Sequence, residues 1–270
     1  MKKVCILLLF SFFAVTALAQ TETQTDIVTD RPTQTVSAHV LPKGYFQIET
    51  GFLYSKGVRR QQETDGSVRF LVSEQFTYNT SLFRYGLNDK IELRLIQDVG
   101  NEKFATRSSK VALVPTLIGT KMHLAASESG RTQLAVLGHI GGPVLSGEAN
   151  GTQADLKFSV EHSLSDKLVL SYNLGGIWEN DLDYFRAMYT FVIGYNLSPK
   201  LSSFAEVYGF FEEVSESRSG FRSNHEFDFG LAYKVNPDFQ LDIYGGTAIS
   251  DIGIDTLIGF GLSFRVANKN

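Results

Sequence analysis

ADLKFSVEHSLSDKLVLSYNLGGIW (Ala154–Trp178) alternates apolar and polar residues on both sides of a short Ser/Asp turn. Leu156, Phe158, Val160 and His162 fall on one face, and Asp155, Lys157, Ser159 and Glu161 on the other. After SLSD the pattern resumes with Leu168, Leu170, Tyr172, Leu174 and Trp178. A period of two around a tight polar turn describes an antiparallel hairpin with one apolar and one polar face. Each arm is about ten residues long, enough for a tilted strand to cross the hydrocarbon core of a bilayer.

The same design recurs from Tyr45 to the end of the chain. YFQIETGFLY puts Phe46, Ile48, Phe52 and Tyr54 outward, with Gln47, Glu49 and Gly51 inward. IELRLIQ opposes Ile91, Leu93 and Leu95 to Glu92 and Arg94. FRAMYTFVIGYN, the Phe227–Tyr233 stretch, FQLDIYGG and TLIGFGLSFRV repeat it, and strands near Thr132–Gly141 and Leu201–Phe211 complete a set of about twelve. The strand near Glu74–Tyr85 changes phase, with Phe76, Tyr78 and Leu82 arguing for one face and Phe83 and Tyr85 for the other, which predicts a bulge. The strand near Val111–Leu124 carries Pro115, which fits only a bulge or an unpaired position.

The connections alternate in length. GLNDK, AASESGR, SLSDK, NLSPK and VNPD are short, and mostly longer polar stretches lie between them, near Ser55–Leu71, Asp98–Ser108, Gly142–Gln153, Glu179–Asp183, Glu212–Ser223 and Ser250–Asp255. Short turns on one side and longer loops on the other are the plan of an outer-membrane barrel. The crossing connections of a Greek-key sandwich do not produce that order. The expected fold is therefore all-β, a transmembrane antiparallel up-and-down barrel of about twelve strands.

Targeting agrees with this. Met1-Lys2-Lys3, an apolar run from Val4 to Leu18 and the Ala17-Leu18-Ala19 site read as a secretory signal peptide over 1–19. The single cysteine, Cys5, lies within it, so the exported chain has no thiol for disulfides or metal ligation. Mean hydropathy is −0.05, as expected where strands are only half apolar. Aromatic residues reach 12%, with 21 Phe and 11 Tyr, a supply suited to interfacial girdles. Net charge is −4, which argues against nucleic acid as a partner.

If the apolar face meets lipid, the opposite face lines a lumen. By this phasing the lumen takes Glu49, Glu92, Arg94, Asp155, Lys157, Glu161, Arg186, Glu206, Asp228, Asp242 and Arg265. Charges at membrane depth must be paired or wetted, so they either close the interior as ion pairs or line a solute path. Twelve strands enclose more space than side chains fill. The polar segment 20–43, ahead of a barrel over 44–270, is then a candidate plug or a free periplasmic tail. Asp30 and Arg31 are placed to reach lumen charges, and Pro32 to stiffen the turn beside them.

Several stretches resemble a known family. TDRPTQTVSAHVLPKGYFQIETGF (Thr29–Phe52) is similar to the opening of the outer-membrane transporter family labelled "MetA-pathway of phenol degradation". FRYGLNDKIELRL, IGTKMHL, QLDIYGG and GFGLSFRV resemble its second hairpin, fourth strand and end. The resemblance implies an outer-membrane channel or transporter and supplies no substrate residues.

The leading expectation is a channel for passive movement of small solutes, hydrophobic or aromatic ones among them. No P-loop occurs, and no cofactor is expected. The alternative is a closed structural or adhesive barrel whose outer loops bind a partner; Arg59, Arg60 and Arg69 would then face anionic lipopolysaccharide. A lipid hydrolase would need a Ser/His pair near the outer rim. Only His139 and His225 are candidates, near Ser146 or Ser223, and no G-x-S-x-G element accompanies them. Outer-membrane lipids, a small solute and the barrel-assembly machinery are the expected partners.

Overall fold

The computed structural model describes residues 26–62, 68–104, 107–108, 111–142, 151–179, 182, 184–213, 221–250 and 253–267. The expected signal peptide lies outside the described residues. Twelve strands form the wall: β1 (Tyr45–Gln62), β2 (Val68–Asn88), β3 (Ile91–Phe104), β4 (Thr116–Ala126), β5 (Thr132–Gly142) and β6 (Gln153–Ser163). They continue with β7 (Leu168–Glu179), β8 (Tyr184–Asn196), β9 (Leu201–Glu213), β10 (Phe221–Asn236), β11 (Phe239–Ala248) and β12 (Gly253–Ala267). Each pairs antiparallel with its neighbours in sequence. β12 pairs with β1 from Tyr45↔Ala267 to Val58↔Gly253, so the sheet closes on itself and leaves no edge.

Burial runs opposite to that of a water-soluble protein. Ile118, Leu174 and Phe229 are 60%, 58% and 59% exposed, whereas Glu92, Lys121 and Asp228 are fully buried. Charged side chains are almost never buried in a water-soluble fold unless paired. Apolar atoms on the outer wall and ions within make sense only where lipid surrounds the strands. Aromatic pairs gather toward both ends of the wall. Trp178–Phe185 and Tyr189–Phe211 (centroids 5.1 and 6.0 Å apart) lie toward the longer connections, and Phe46–Phe83 and Phe239–Phe264 (6.4 and 6.5 Å) toward the short turns.

The ambiguous strands resolve through breaks in register. In β2, Thr80 opposes Gly51 but Thr77 opposes Leu53, so one extra residue enters around Tyr78–Asn79. Phe76 and Tyr78 face out before this bulge, and Phe83 and Tyr85 after it. Leu82, grouped by its pattern with Phe76 and Tyr78, takes the inner face instead. Pro115 lies outside any strand. β4 begins after it, while Ala112–Leu113 and Arg107–Ser108 pair separately with β3.

Two stretches read from sequence as long loops are strand. The ladder between β1 and β2 continues from Ser55↔Gln75 to Gln62↔Val68, and β3 runs on to Phe104. Arg59, Arg60 and Arg69 therefore sit on a polar extension of the wall. The alternation of hydropathy stops where lipid stops, but the hydrogen-bond ladder does not. Periodicity reports the environment of a strand, not its length.

Candidate functional site

The lumen is occupied by the chain's own N-terminal segment. Strand alternation aims one side chain in two inward, and on β1–β4 those side chains are Glu49, Arg84, Glu92, Arg94 and Lys121. Together with Asp30 of the segment they form three cations against three carboxylates, each at most 6% exposed. Arg84 bonds Glu49 at 2.7 Å and Glu92 at 2.8 Å. Arg94 bonds Glu92 at 2.6 Å and Asp30 at 2.7 Å, and Lys121 reaches both Asp30 oxygens at 3.1 Å. Asp30 also accepts from Ser37 N and Oγ, which folds the segment back on itself. Burial alone would raise the Asp30 pKa. Arg84, Lys121 and Arg94 outweigh it and hold the carboxyl well below the usual range.

The neighbouring Arg31 is bound just as closely. Its guanidinium donates to Asp242 at 3.0 and 3.3 Å and to Thr80 at 3.0 Å, and lies 5.8 Å from the centre of the Tyr244 ring. It fits there because Gly51 and Gly261, paired across β1 and β12, present no side chain. A Cβ on either would come within 2.5 Å of Arg31 Nη2. Asp242 holds Arg31 above its ordinary pKa, against the opposing pull of burial. The Arg31–Pro32 peptide bond is cis.

Carboxylates also bind the segment's backbone. Glu49 Oε2 accepts from the amides of Asp30 and Arg31 at 2.9 Å. Glu206 accepts from Gln34 N and Thr35 N at 2.7 Å, and Glu92 from Leu41 N at 2.8 Å. Asn173 makes a two-way bond with Val36, accepting from its amide at 2.7 Å and donating to its carbonyl at 3.0 Å. An extended segment with no strand partner leaves its amides in need of acceptors. The lumen supplies them, each charge-assisted bond being stronger than a neutral one.

The eleven sequence-assigned lumen residues divide by position. Glu49, Glu92, Arg94, Glu206 and Asp242 touch the segment directly, and Glu161 does so through His39 at 3.0 Å. Asp155 stands behind, bonding His139 at 2.9 Å, which in turn takes Arg94 Nε at 3.0 Å. Lys157 is half-buried on the same strand. Asp228 is paired in register with Glu206 and faces the lumen beside it from β10. Arg186 is remote, bonding Glu179 at 2.8 Å and lying 4.9 Å from the Phe210 ring centre. Arg265 bonds Asp238 in the last short turn at 2.8 Å.

Arg84, Lys121 and Asn173 were not singled out from the sequence. Arg84 and Lys121 fall on the two strands whose phase is broken, so alternation could not assign them. Their signal was a lone cation in otherwise apolar FRYGL and GTKMHL. Of the candidate hydrolase histidines, His139 faces the lumen as above and Ser146 lies outside the described residues. His225 faces outward, and its Nδ1 bonds Tyr189 OH at 3.0 Å. Among the described residues no group of three or more His, Cys, Asp or Glu is set to hold a metal ion.

Solved structures share this architecture. An outer-membrane channel from Pseudomonas putida F1 matches with a TM-score of 0.66 and 13% identity, over 87% of this chain and 100% of that one. The translocator domain of the autotransporter NalP from Neisseria meningitidis matches with a TM-score of 0.55 and 12% identity, over 84% and 90%. A KdgM porin in complex with disordered oligogalacturonate matches with a TM-score of 0.51 and 8% identity, over 80% and 98%. No curated protein sequence matches the chain. At these identities the structures establish the fold, an outer-membrane β-barrel. Sequence goes further, since residues 29–266 match one family throughout: the chain belongs to the family described as "Putative MetA-pathway of phenol degradation".

Proposed function

We propose that the protein is a passive outer-membrane channel for small solutes whose lumen is closed by its own N-terminal segment acting as a plug. One observation carries this reading: lumen side chains bind the segment by polar groups, down to its backbone amides. A barrel core meant to stay shut would more simply be filled by apolar packing. Polar contacts exchange readily with water, so a wet pore can replace the plug at modest cost. Passive transport needs no motor, and a solute gradient suffices to drive it.

Export and assembly follow from the same reading. The 1–19 leader is cleaved after Ala19, and the barrel-assembly machinery inserts the chain with its short turns in the periplasm.

Single-channel recording tests the proposal. Refolded protein beginning at Gln20 is expected to show rare, brief openings, and a variant lacking Thr21–Val40 a steady current. Silence from both, with heat-modifiable migration showing a folded barrel, would favour a closed structural or adhesive barrel.

A further inference from the structure

The plug is fastened unevenly. Toward β1–β6 it meets the charged cluster and Glu161. Toward β7–β10 it is held at its outlying end by the pair of Asp26 with Lys234, and beyond that at Gln34, Thr35 and Val36, by Asn173, Thr190 and Glu206. On the short-turn side of that contact a gap of about 310 Å³ separates the plug from the wall. The sequence sets this gap. Met188, Thr190 and Val192 fill the inward positions of β8, and the next inward residue is Gly194. Nothing lies within 4 Å of where a Gly194 Cβ would stand.

The lining states what would fit. Val192, Phe204 and Ala232 supply apolar surface, and Thr33, Ser171 and Ser202 supply hydroxyls. The charged groups at its margin are already engaged: Arg31 with Asp242, Glu161 with His39, and Lys234 with Asp26. A charged solute would find no free counter-ion there, whereas an apolar body carrying a hydroxyl would find both surfaces. The volume is at the small end of the range for ligand pockets, about 300–1,000 Å³. That is room for one ring-sized molecule.

We propose that this gap is a solute-binding vestibule on the periplasmic side of the plug. It takes small neutral molecules with an apolar body and a hydroxyl group, which pass there between the plug and the β7–β10 wall. This rests on the channel reading above and adds where the solute sits and what kind it is.

A thiol placed at Gly194 tests it, because the chain from Gln20 onward contains no cysteine. In the folded Gly194→Cys variant, reaction with a small neutral methanethiosulfonate is expected. Benzyl alcohol at a few times its Kd should slow that reaction about threefold or more, and choline should not. Ala232→Cys, across the gap, gives a second reporter if the first folds poorly. Ile193→Cys, on the lipid face of the same strand, is the control for general effects of the alcohol and should be unaffected. An unreactive thiol at both gap positions, or equal rates with and without benzyl alcohol, overturns the site.

Liposome flux separates the two readings. Benzyl alcohol flux through the unmodified protein that falls after labelling Gly194→Cys with a bulky reagent supports passage along this wall. Undiminished flux after labelling refutes that passage and leaves the channel intact. No flux in any form refutes the channel, and the protection experiment alone then decides the site.

Discussion

Asp30→Asn is expected to release the plug while leaving the barrel folded. The substitution preserves shape but leaves three buried cations, Arg84, Arg94 and Lys121, facing only Glu49 and Glu92. Breaking a buried ion pair from one side costs about 3–5 kcal/mol, because the partner's charge stays behind uncompensated. Here the molecule has an escape that a packed core lacks: the segment can leave and water can reach the cations. At tenfold per 1.4 kcal/mol, the undocked population rises by about two to four orders of magnitude. Hydrogen exchange of the amides of Thr35, Val36 and Leu41, all bound by lumen side chains, should accelerate accordingly, and steady current should appear. Slow exchange together with a lower melting temperature would mean that the segment is an integral part of the folded core and not a plug.

The same carboxylate gives the pH dependence a sign. Docked Asp30 is held well below the ordinary range by the cations around it. Near neutral pH it is ionised whether docked or free, so its contribution to docking is fully present and constant. As pH falls past about 4 the free segment takes up a proton first. Docking then weakens and is lost as pH passes through the lower docked value. Openings should therefore increase in acid and, as far as Asp30 governs them, stay flat from mild acid to neutral.

Much of this could be read from the chain, and the exceptions share a cause. Alternation in β3, β6, β9 and β10 put Glu92, Arg94, Asp155, Glu206 and Asp228 on the inner face, because lipid demands an apolar residue at every second position. Where the register shifts, in β2 at Tyr78–Asn79 and before β4 at Pro115, the period loses its phase. Arg84 and Lys121 disappear from view with it. Membrane depth also resists reading. Arg186 and Arg265 alternate correctly, yet one binds Glu179 toward the longer connections and the other Asp238 in a short turn, since a period of two says nothing about height along the barrel. Asn173 could not be found at all. Its role is set by Val36, 137 residues earlier in the chain, and no local pattern encodes that pairing.

The smallest change with a large effect lies at the other end of the plug. Gly86→Ala adds one methyl group, and its Cβ would stand 2.0 Å from the Pro42 carbonyl oxygen and 2.6 Å from that of Leu41. Both atoms belong to the stretch where the plug turns into β1, so the wall need not yield; the plug must. Moving Leu41 takes its amide off Glu92, now 2.8 Å away, and strains the bond from Gly44 N to Gly86 O, also 2.8 Å. Overpacking of this kind costs about 1–3 kcal/mol, raising the open population about five- to 150-fold. Gly245→Ala is the matched control, because its Cβ would meet only the Leu257 carbonyl, at 3.3 Å. Faster exchange at Leu41 with normal heat-modifiable migration is expected for Gly86→Ala and not for the control. Equal behaviour of the two variants would mean that the turn at Leu41–Pro42 can shift without loosening the plug, and that the hold at Asp30 and Glu206 is sufficient to keep the lumen closed.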